Sequence, residues 1–310
     1  MRYGFISGSL WGLDTVILSL AFLVFPLAGM AGGTYVAAGI HDVVCALAIS
    51  LIMAASGRLG DTKQALKTRN GKIIMAAALI GGPIGMSGYL TAISNIGPGF
   101  TAVISAFYPG LGSILAVLIL HEKIGYKQVL ALLAALLAVM AMGWYTTQGA
   151  AVAGDATLGV LGALTCVLGW GSEAVILAWG MKGEGVDNKV ALQIRETTSA
   201  LAYVLIVIPV TGNMDLMTTC LGSGAMVYIV CAALAGVTSY LFYYKAILTI
   251  GAARAMAANI SYSAWAVLFT ALILKVIPGA VEIICCLVIA LGTIISSSGQ
   301  SLKELIGGNK

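Results

Sequence analysis

Trp11-Gly12-Leu13-Asp14-Thr15-Val16-Ile17-Leu18 returns later in the chain as Trp170-Gly171-Ser172-Glu173-Ala174-Val175-Ile176-Leu177. The same 159 residues separate Trp11 from Trp170 and Asp14 from Glu173. In both copies an indole precedes an acid by three residues inside an apolar run. Further pairs follow in the same order at a separation of 154 residues: His41-Asp42 with Arg195-Glu196, the run Tyr89 to Gly97 with Tyr243 to Gly251, and Tyr108 with Tyr262. Several matched segments in one order predict a duplicated chain, with a first half over 1–150 and a second over 151–310, the latter ending in a short tail.

Composition says what surrounds the chain. Of its 310 residues 60% are hydrophobic and 9% charged, and the mean hydropathy is +1.02. A soluble domain carries about 25% charged residues, so the polar surface needed to face water on all sides is missing. A membrane-spanning helix needs about 20 apolar residues. Runs of that kind stand at 4–27, 32–56, 73–94, 99–120, 126–147, 157–181, 190–210, 222–247, 253–275 and 278–298. They are continuously apolar rather than alternating, which excludes a β-barrel. The expected fold class is an all-α integral membrane protein with ten transmembrane helices. The loops leave no room for a separate soluble domain, which argues against a sensor, an ATPase or an extramembrane enzyme.

Five spans per half is an odd number, so the second half enters the membrane from the opposite face. The expected architecture is a five-plus-five inverted repeat, a plan that places substrate near the midplane and alternates access by rocking. Lys and Arg set the orientation. Arg58, Lys63, Lys67, Arg69 and Lys72 follow span two, Lys123 and Lys127 span four, Lys182 and Lys189 span six. Lys245 and Arg254 flank the turn after span eight, and Lys303 and Lys310 lie in the tail. On the other side only Lys275 stands at a loop edge, so both termini are expected to be cytoplasmic.

Other classes find little support. The net charge of +4 is thinly scattered and does not point to nucleic acid. Cys45, Cys166, Cys220, Cys231, Cys285 and Cys286 lack metal-ligand spacing and read as small thiols in helices. No Ser-His-Asp set, zinc motif or phosphate loop is present, so no enzyme, metal or cofactor is expected. The first apolar run carries Trp11 and Asp14 and has a later counterpart, unlike a cleaved signal peptide. Gly8 with Gly12 and Gly81 with Gly85 have the small-xxx-small spacing of close helix crossings. Pro83 and Pro109 are expected to kink spans three and four.

An ionisable side chain at membrane depth costs about 2.5–3.5 kcal/mol on the insertion scale, and it generally faces a cavity or a partner. Asp14, Asp42, Glu173 and Glu196 fall there, with His41 and Arg195 beside two of them. Arg195 with Glu196 reads first as a structural pair, and His41-Asp42 as a latch, or Arg195 and His41 pair across the halves. Glu173 shares a helix face with Trp170, as Asp14 does with Trp11, because residues three apart are neighbours on a helix.

A carboxylate beside an indole suits an organic cation. Quaternary ammonium has no N–H to donate, so proteins hold it on ring faces and neutralise it with an anion. Trp11, Trp170, Tyr108, Tyr240, Tyr244, Tyr262 and Trp265 lie within spans. Tyr240 with Tyr244 and Tyr262 with Trp265 share faces. Trp144, Tyr145, Trp179, Tyr228 and Tyr3, near span ends, fit an interfacial belt. For the deeper Trp11, Trp170 and Trp265, cage and plain packing are both open readings.

The segments Trp11-Gly12, His41-Asp42, Gly82-Pro83-Ile84-Gly85-Met86, Tyr108-Pro109, Trp170-Gly171-Ser172-Glu173, Ile194-Arg195, Ser239-Tyr240-Leu241 with Tyr243-Tyr244, and Asn259-Ile260-Ser261-Tyr262 with Trp265 resemble the drug/metabolite transporter superfamily. Among its EamA-type members they are most similar to the LicB-type bacterial choline permeases, over nearly the whole chain. The resemblance implies proton-coupled import of choline or a related quaternary amine across the bacterial cytoplasmic membrane. Trp11, Trp170, Tyr240, Tyr244 and Trp265 would be cage walls and Glu173 the counter-charge. Asp14 departs from the family pattern and leaves the exact amine open. Glu173 is the first choice as proton carrier and His41 the second. Moving one positive charge inward gains about 2.3 kcal/mol per 100 mV, which is roughly 50-fold accumulation. The expected partners are the organic cation, a proton and membrane lipid. The competing readings are an exporter of amino acids or other small metabolites, with Arg195-Glu196 binding a zwitterion, and a non-transporting receptor or scaffold, which the short loops disfavour.

Overall fold

A computed structural model describes residues 1–147, 154–183 and 185–298. The expected boundary between the halves at 150/151, and Lys303 and Lys310, lie outside the described residues. The described chain is helical throughout and contains no strand. The helices are α1 (Arg2–Ala21), α2 (Gly33–Ala55), α3 (Leu59–Lys67), α4 (Arg69–Leu79), α5 (Met86–Ser105), α6 (Tyr108–Leu120), α7 (Tyr126–Thr146), α8 (Ala156–Gly180), α9 (Asn188–Ala202), α10 (Ile208–Val210), α11 (Met214–Leu221), α12 (Ala225–Ile250), α13 (Ala252–Asn259), α14 (Tyr262–Phe269) and α15 (Ala280–Ser298). Wider π-helical turns join α4 to α5 at Ile80–Gly85 and α9 to α10 at Tyr203–Val207, and another follows α14 at Thr270–Leu274.

The distribution of side chains is inside-out relative to a soluble protein. Leu130, Leu137, Leu205, Ile284, Leu287 and Leu291 are exposed, whereas Asp14, His41, Asp42, Arg195 and Glu196 are buried. An apolar exterior around a charged interior is stable only in an apolar solvent. Among the described residues nine helical stretches are long and apolar enough to cross a membrane. The protein is therefore an all-helical integral membrane protein.

The expected third and fourth spans meet differently from the sequence reading. Arg69–Ser105 runs on as one stretch, bent at Gly97 (φ 78°, ψ 164°), and Tyr108–Leu120 is a separate helix of 13 residues. A positive φ at that point is open to glycine and costly for other residues. Pro83 lies inside the π-turn, as a mid-helix proline that withholds an N–H requires. Pro109 does not kink a helix; it stands in the first turn of α6, where an N–H has no intrahelical partner to lose. Gly251 (φ 88°, ψ 163°) repeats the Gly97 geometry between α12 and α13.

Close crossings hold the bundle together. α1 lies along α12 and against α14, α8 along α5 and against α6, α2 against α9, and α7 against α15. A Cβ on Gly12 would stand 2.8 Å from the Trp265 Cβ, and one on Gly162 2.6 Å from the Gly88 carbonyl oxygen, so these backbones approach as only glycine permits. Asp155 and Asp187 cap α8 and α9 by accepting hydrogen bonds from Thr157 and Leu158, and from Lys189 and Val190. Arg58 reaches Asp187 at 2.9 Å, Glu122 accepts from the Ala252 and Ala253 amides at 2.7 and 3.1 Å, and Arg69 lies over Trp179. These contacts bring Arg58 and Arg69 against the C-terminal end of α8 and the start of α9, and Glu122 against the start of α13.

Candidate functional site

Inside this apolar shell, four helices contribute one continuous chain of charged groups. His41 of α2 faces Asp14 of α1 with Nε2 3.2 Å from Oδ1, and its Nδ1 lies 3.5 Å from Asp42 Oδ1. Asp42 accepts a 2.6 Å hydrogen bond from Ser199 Oγ on α9, and its Oδ2 is 3.9 Å from Arg195 Nη1. Arg195 donates from Nε to Glu173 Oε1 at 3.1 Å, from Nη1 to Glu196 Oε1 at 3.0 Å and from Nη2 to Tyr240 Oη at 3.2 Å. Every ionisable residue singled out from the sequence thus falls in a single network. Both neighbouring pairs, His41-Asp42 and Arg195-Glu196, are made within their own helices. Arg195 and His41 do not pair directly across the halves, and Asp42 stands between them.

Small residues create this arrangement. A Cβ on Gly236 of α12 would meet His41 Nε2 at 2.8 Å and Asp14 Oδ2 at 3.0 Å. A Cβ on Gly81 would run into the Glu173 carboxylate, and one on Gly85 would come within 3.1 Å of Trp170 Cδ1. The face of α8 that carries Trp170 and Glu173 is therefore pressed on the π-turn. The widened turn also supplies a carbonyl: Trp170 Nε1 donates to Gly81 O at 3.1 Å.

The aromatic residues divide into neighbouring groups. Trp11 meets Tyr240 edge-on with ring centroids 4.8 Å apart, and Tyr240 meets Tyr244 at 6.2 Å. The Arg195 guanidinium carbon lies 4.7 Å from the Tyr240 ring centre. Trp170 packs between Tyr108, at 5.6 Å, and Tyr89, at 5.2 Å. Trp265 stacks on Phe269 at 6.1 Å and starts from the crossing at Gly12, beside Trp11. Tyr262 lines a cavity of about 360 Å³ with Ala102, Met142, Thr146 and Glu282. That cavity does not reach Trp11, Trp170 or Glu173. Trp144, Tyr145 and Trp179 are exposed, as an interfacial belt requires.

The sequence reading missed two participants. Tyr89 is the counterpart of Tyr243 at the 154-residue spacing, a signal that was present and unused. Ser199, which bonds Asp42, follows Glu196 by three residues and so shares its face. Among the described residues no cluster of His, Cys, Asp and Glu is arranged to hold a metal ion. The Glu173 carboxylate and the Tyr240 ring face together hold one organic cation, the Arg195 guanidinium.

Residues 2–144 match the EamA-like transporter family. The LicB protein of Haemophilus influenzae is 28% identical over 225 residues, covering 71% of this chain and 73% of its own length. A crystal structure with 16% identity covers 96% of this chain and 96% of its own, with a TM-score of 0.69, and so shares the fold. By its match over residues 2–144 and its likeness to LicB, the chain resembles the EamA-type drug/metabolite transporters, multi-pass membrane transporters of small molecules.

Proposed function

We propose that the protein imports choline or a related quaternary ammonium cation by alternating access, coupled to protons, across the bacterial cytoplasmic membrane with both termini inside. The carrying observation is the placement of Glu173 and the Tyr240 ring around one organic cation, the Arg195 guanidinium, in the interior of the bundle. Trp11 and Tyr244 extend that ring surface, and Trp170 with Tyr108, Trp265 and Tyr262 supply further aromatic groups.

Charge supports the coupling. Among the described residues, the cations that Asp14, Asp42, Glu173 and Glu196 meet are Arg195 and His41. Buried charge is costly unless compensated, so a substrate cation and a proton would offset part of the deficit. Glu173 is engaged by Arg195, which moves His41, with a carboxylate at each ring nitrogen, to first place as the group that passes the proton. The repeated backbone geometry at Gly97 and Gly251, and the matched crossings of α1 with α12 and α8 with α5, support two inverted halves rocking about this centre.

Counterflow in proteoliposomes tests the reading. Vesicles loaded with unlabelled choline should accumulate labelled choline from outside, and vesicles loaded with amino acids should not. Accumulation of zwitterionic amino acids with no response to choline would make the protein a metabolite carrier of a different class.

A further inference from the structure

We infer that Arg195 is a resident cation: it occupies the substrate's seat in the empty carrier and vacates it when substrate arrives. This role rests on the organic-cation reading above and goes beyond it, since it makes Arg195 the residue that sets both affinity and the mode of transport.

The geometry leads there directly. Arg195 Nε is 3.1 Å from Glu173 Oε1, and its guanidinium carbon is 4.7 Å from the Tyr240 ring centre. A carboxylate and a ring face are the two contacts available to a quaternary ammonium, which has no N–H. Substrate and guanidinium cannot hold them together, because two positive charges at contact distance in a low-dielectric interior repel strongly. Substrate binding therefore requires Arg195 to move away.

A place to go is already built. Arg195 Nη1 lies 3.0 Å from Glu196 Oε1 and 3.9 Å from Asp42 Oδ2. The second oxygen of Glu196 is buried and has no hydrogen-bond partner. A turn of the Arg195 side chain off Tyr240 and Glu173 converts one contact with Glu196 into a two-oxygen fork and closes the gap to Asp42. Glu173 and the ring are then free for the substrate. After substrate leaves, Arg195 returns and neutralises Glu173, so the empty carrier can reorient without an uncompensated buried anion in the seat. Such a carrier completes its cycle empty and performs net uptake. Without the arginine, the loaded form is the one whose charge is balanced, and the protein becomes an exchanger.

The test compares wild type, Arg195→Gln, Arg195→Lys and Glu196→Gln, purified and reconstituted, using labelled choline. For Arg195→Gln, choline should bind at least tenfold tighter. Exchange should continue at a lower half-saturating concentration, while net uptake into choline-free vesicles falls at least tenfold. Arg195→Lys should lie between wild type and Arg195→Gln. Glu196→Gln removes the alternative partner, keeps Arg195 seated and should weaken choline binding, which keeps the test open if Arg195→Gln is misfolded. Unchanged or weaker binding in a folded Arg195→Gln, equal loss of exchange and net uptake, or unchanged or tighter binding in Glu196→Gln would overturn the role while leaving the organic-cation reading in place. A wild type that binds neither choline nor tetramethylammonium would overturn that reading, and this role with it.

Discussion

Trp170 Nε1 donates a 3.1 Å hydrogen bond to the carbonyl oxygen of Gly81. An indole from α8 thereby satisfies a backbone group of the π-turn that Pro83 interrupts, and the turn in turn fixes where Glu173, one helical turn later, must lie. The Trp-x-x-acid pattern in this half is a mechanical unit as well as a chemical one.

Gly81→Ala tests that unit. The added methyl would collide with the Glu173 carboxylate and lie 2.8 Å from its Cβ, so the acid must shift off Arg195. Choline uptake should fall at least tenfold in a protein that still purifies as one species. Uptake at the wild-type rate would mean that the position of Glu173 is not limiting.

Tyr240 separates a ring from a hydroxyl. Tyr240→Phe removes the partner of Arg195 Nη2 and keeps the face, so choline binding should survive. Tyr240→Leu removes the face as well. A cation–π contact is worth about 0.5–2 kcal/mol, so affinity should drop by roughly 2- to 30-fold in the leucine variant. Equal affinity in the two variants, measured by labelled choline binding, would remove Tyr240 from the cage.

Glu173→Gln should abolish uptake and also lower thermal stability. Removing one partner of a buried ion pair costs about 3–5 kcal/mol. The loss here should be smaller, because Arg195 keeps Glu196 and Asp42. The melting temperature and labelled choline uptake are the two readouts.

At the start of α9, the pH response of the Arg58–Asp187 contact has a definite sign. Burial works against the charged form of Asp187, but the Val190 amide and the Arg58 guanidinium outweigh it and hold the carboxyl below its ordinary value. A lowered value in the folded state means stability that is fully present above the unfolded carboxylate range, near about pH 4, and lost as pH falls through the folded value. The melting-temperature gap between wild type and Arg58→Ala should therefore stay level from pH 8 to about 5 and narrow below about 4. Both side chains are partly exposed, so the gap should be small.

The apolar runs and the shared faces of Tyr240 with Tyr244 and of Trp170 with Glu173 were legible because they depend on hydropathy and on 3.6-residue periodicity alone. The meeting of Trp11 with Tyr240 was not, since it depends on how α1 crosses α12. That crossing is set by contacts such as Ser7 with Ser239 and by glycines whose neighbours no local pattern names. Glu173 read as a free counter-charge because its partner, Arg195, stands on another helix. Pro109 read as a kink because residue type alone does not say whether a proline interrupts a helix or begins one.

An alkylated ammonium substrate should sit against Tyr240 and Glu173. Crystals of the protein grown with arsenocholine, whose arsenic is located by its anomalous scattering, test this most directly. The arsenic should lie over the Tyr240 ring within reach of Trp11 and Glu173, with Arg195 turned to Glu196. An arsenic signal away from these residues, with Arg195 still bound to Glu173, would contradict this placement.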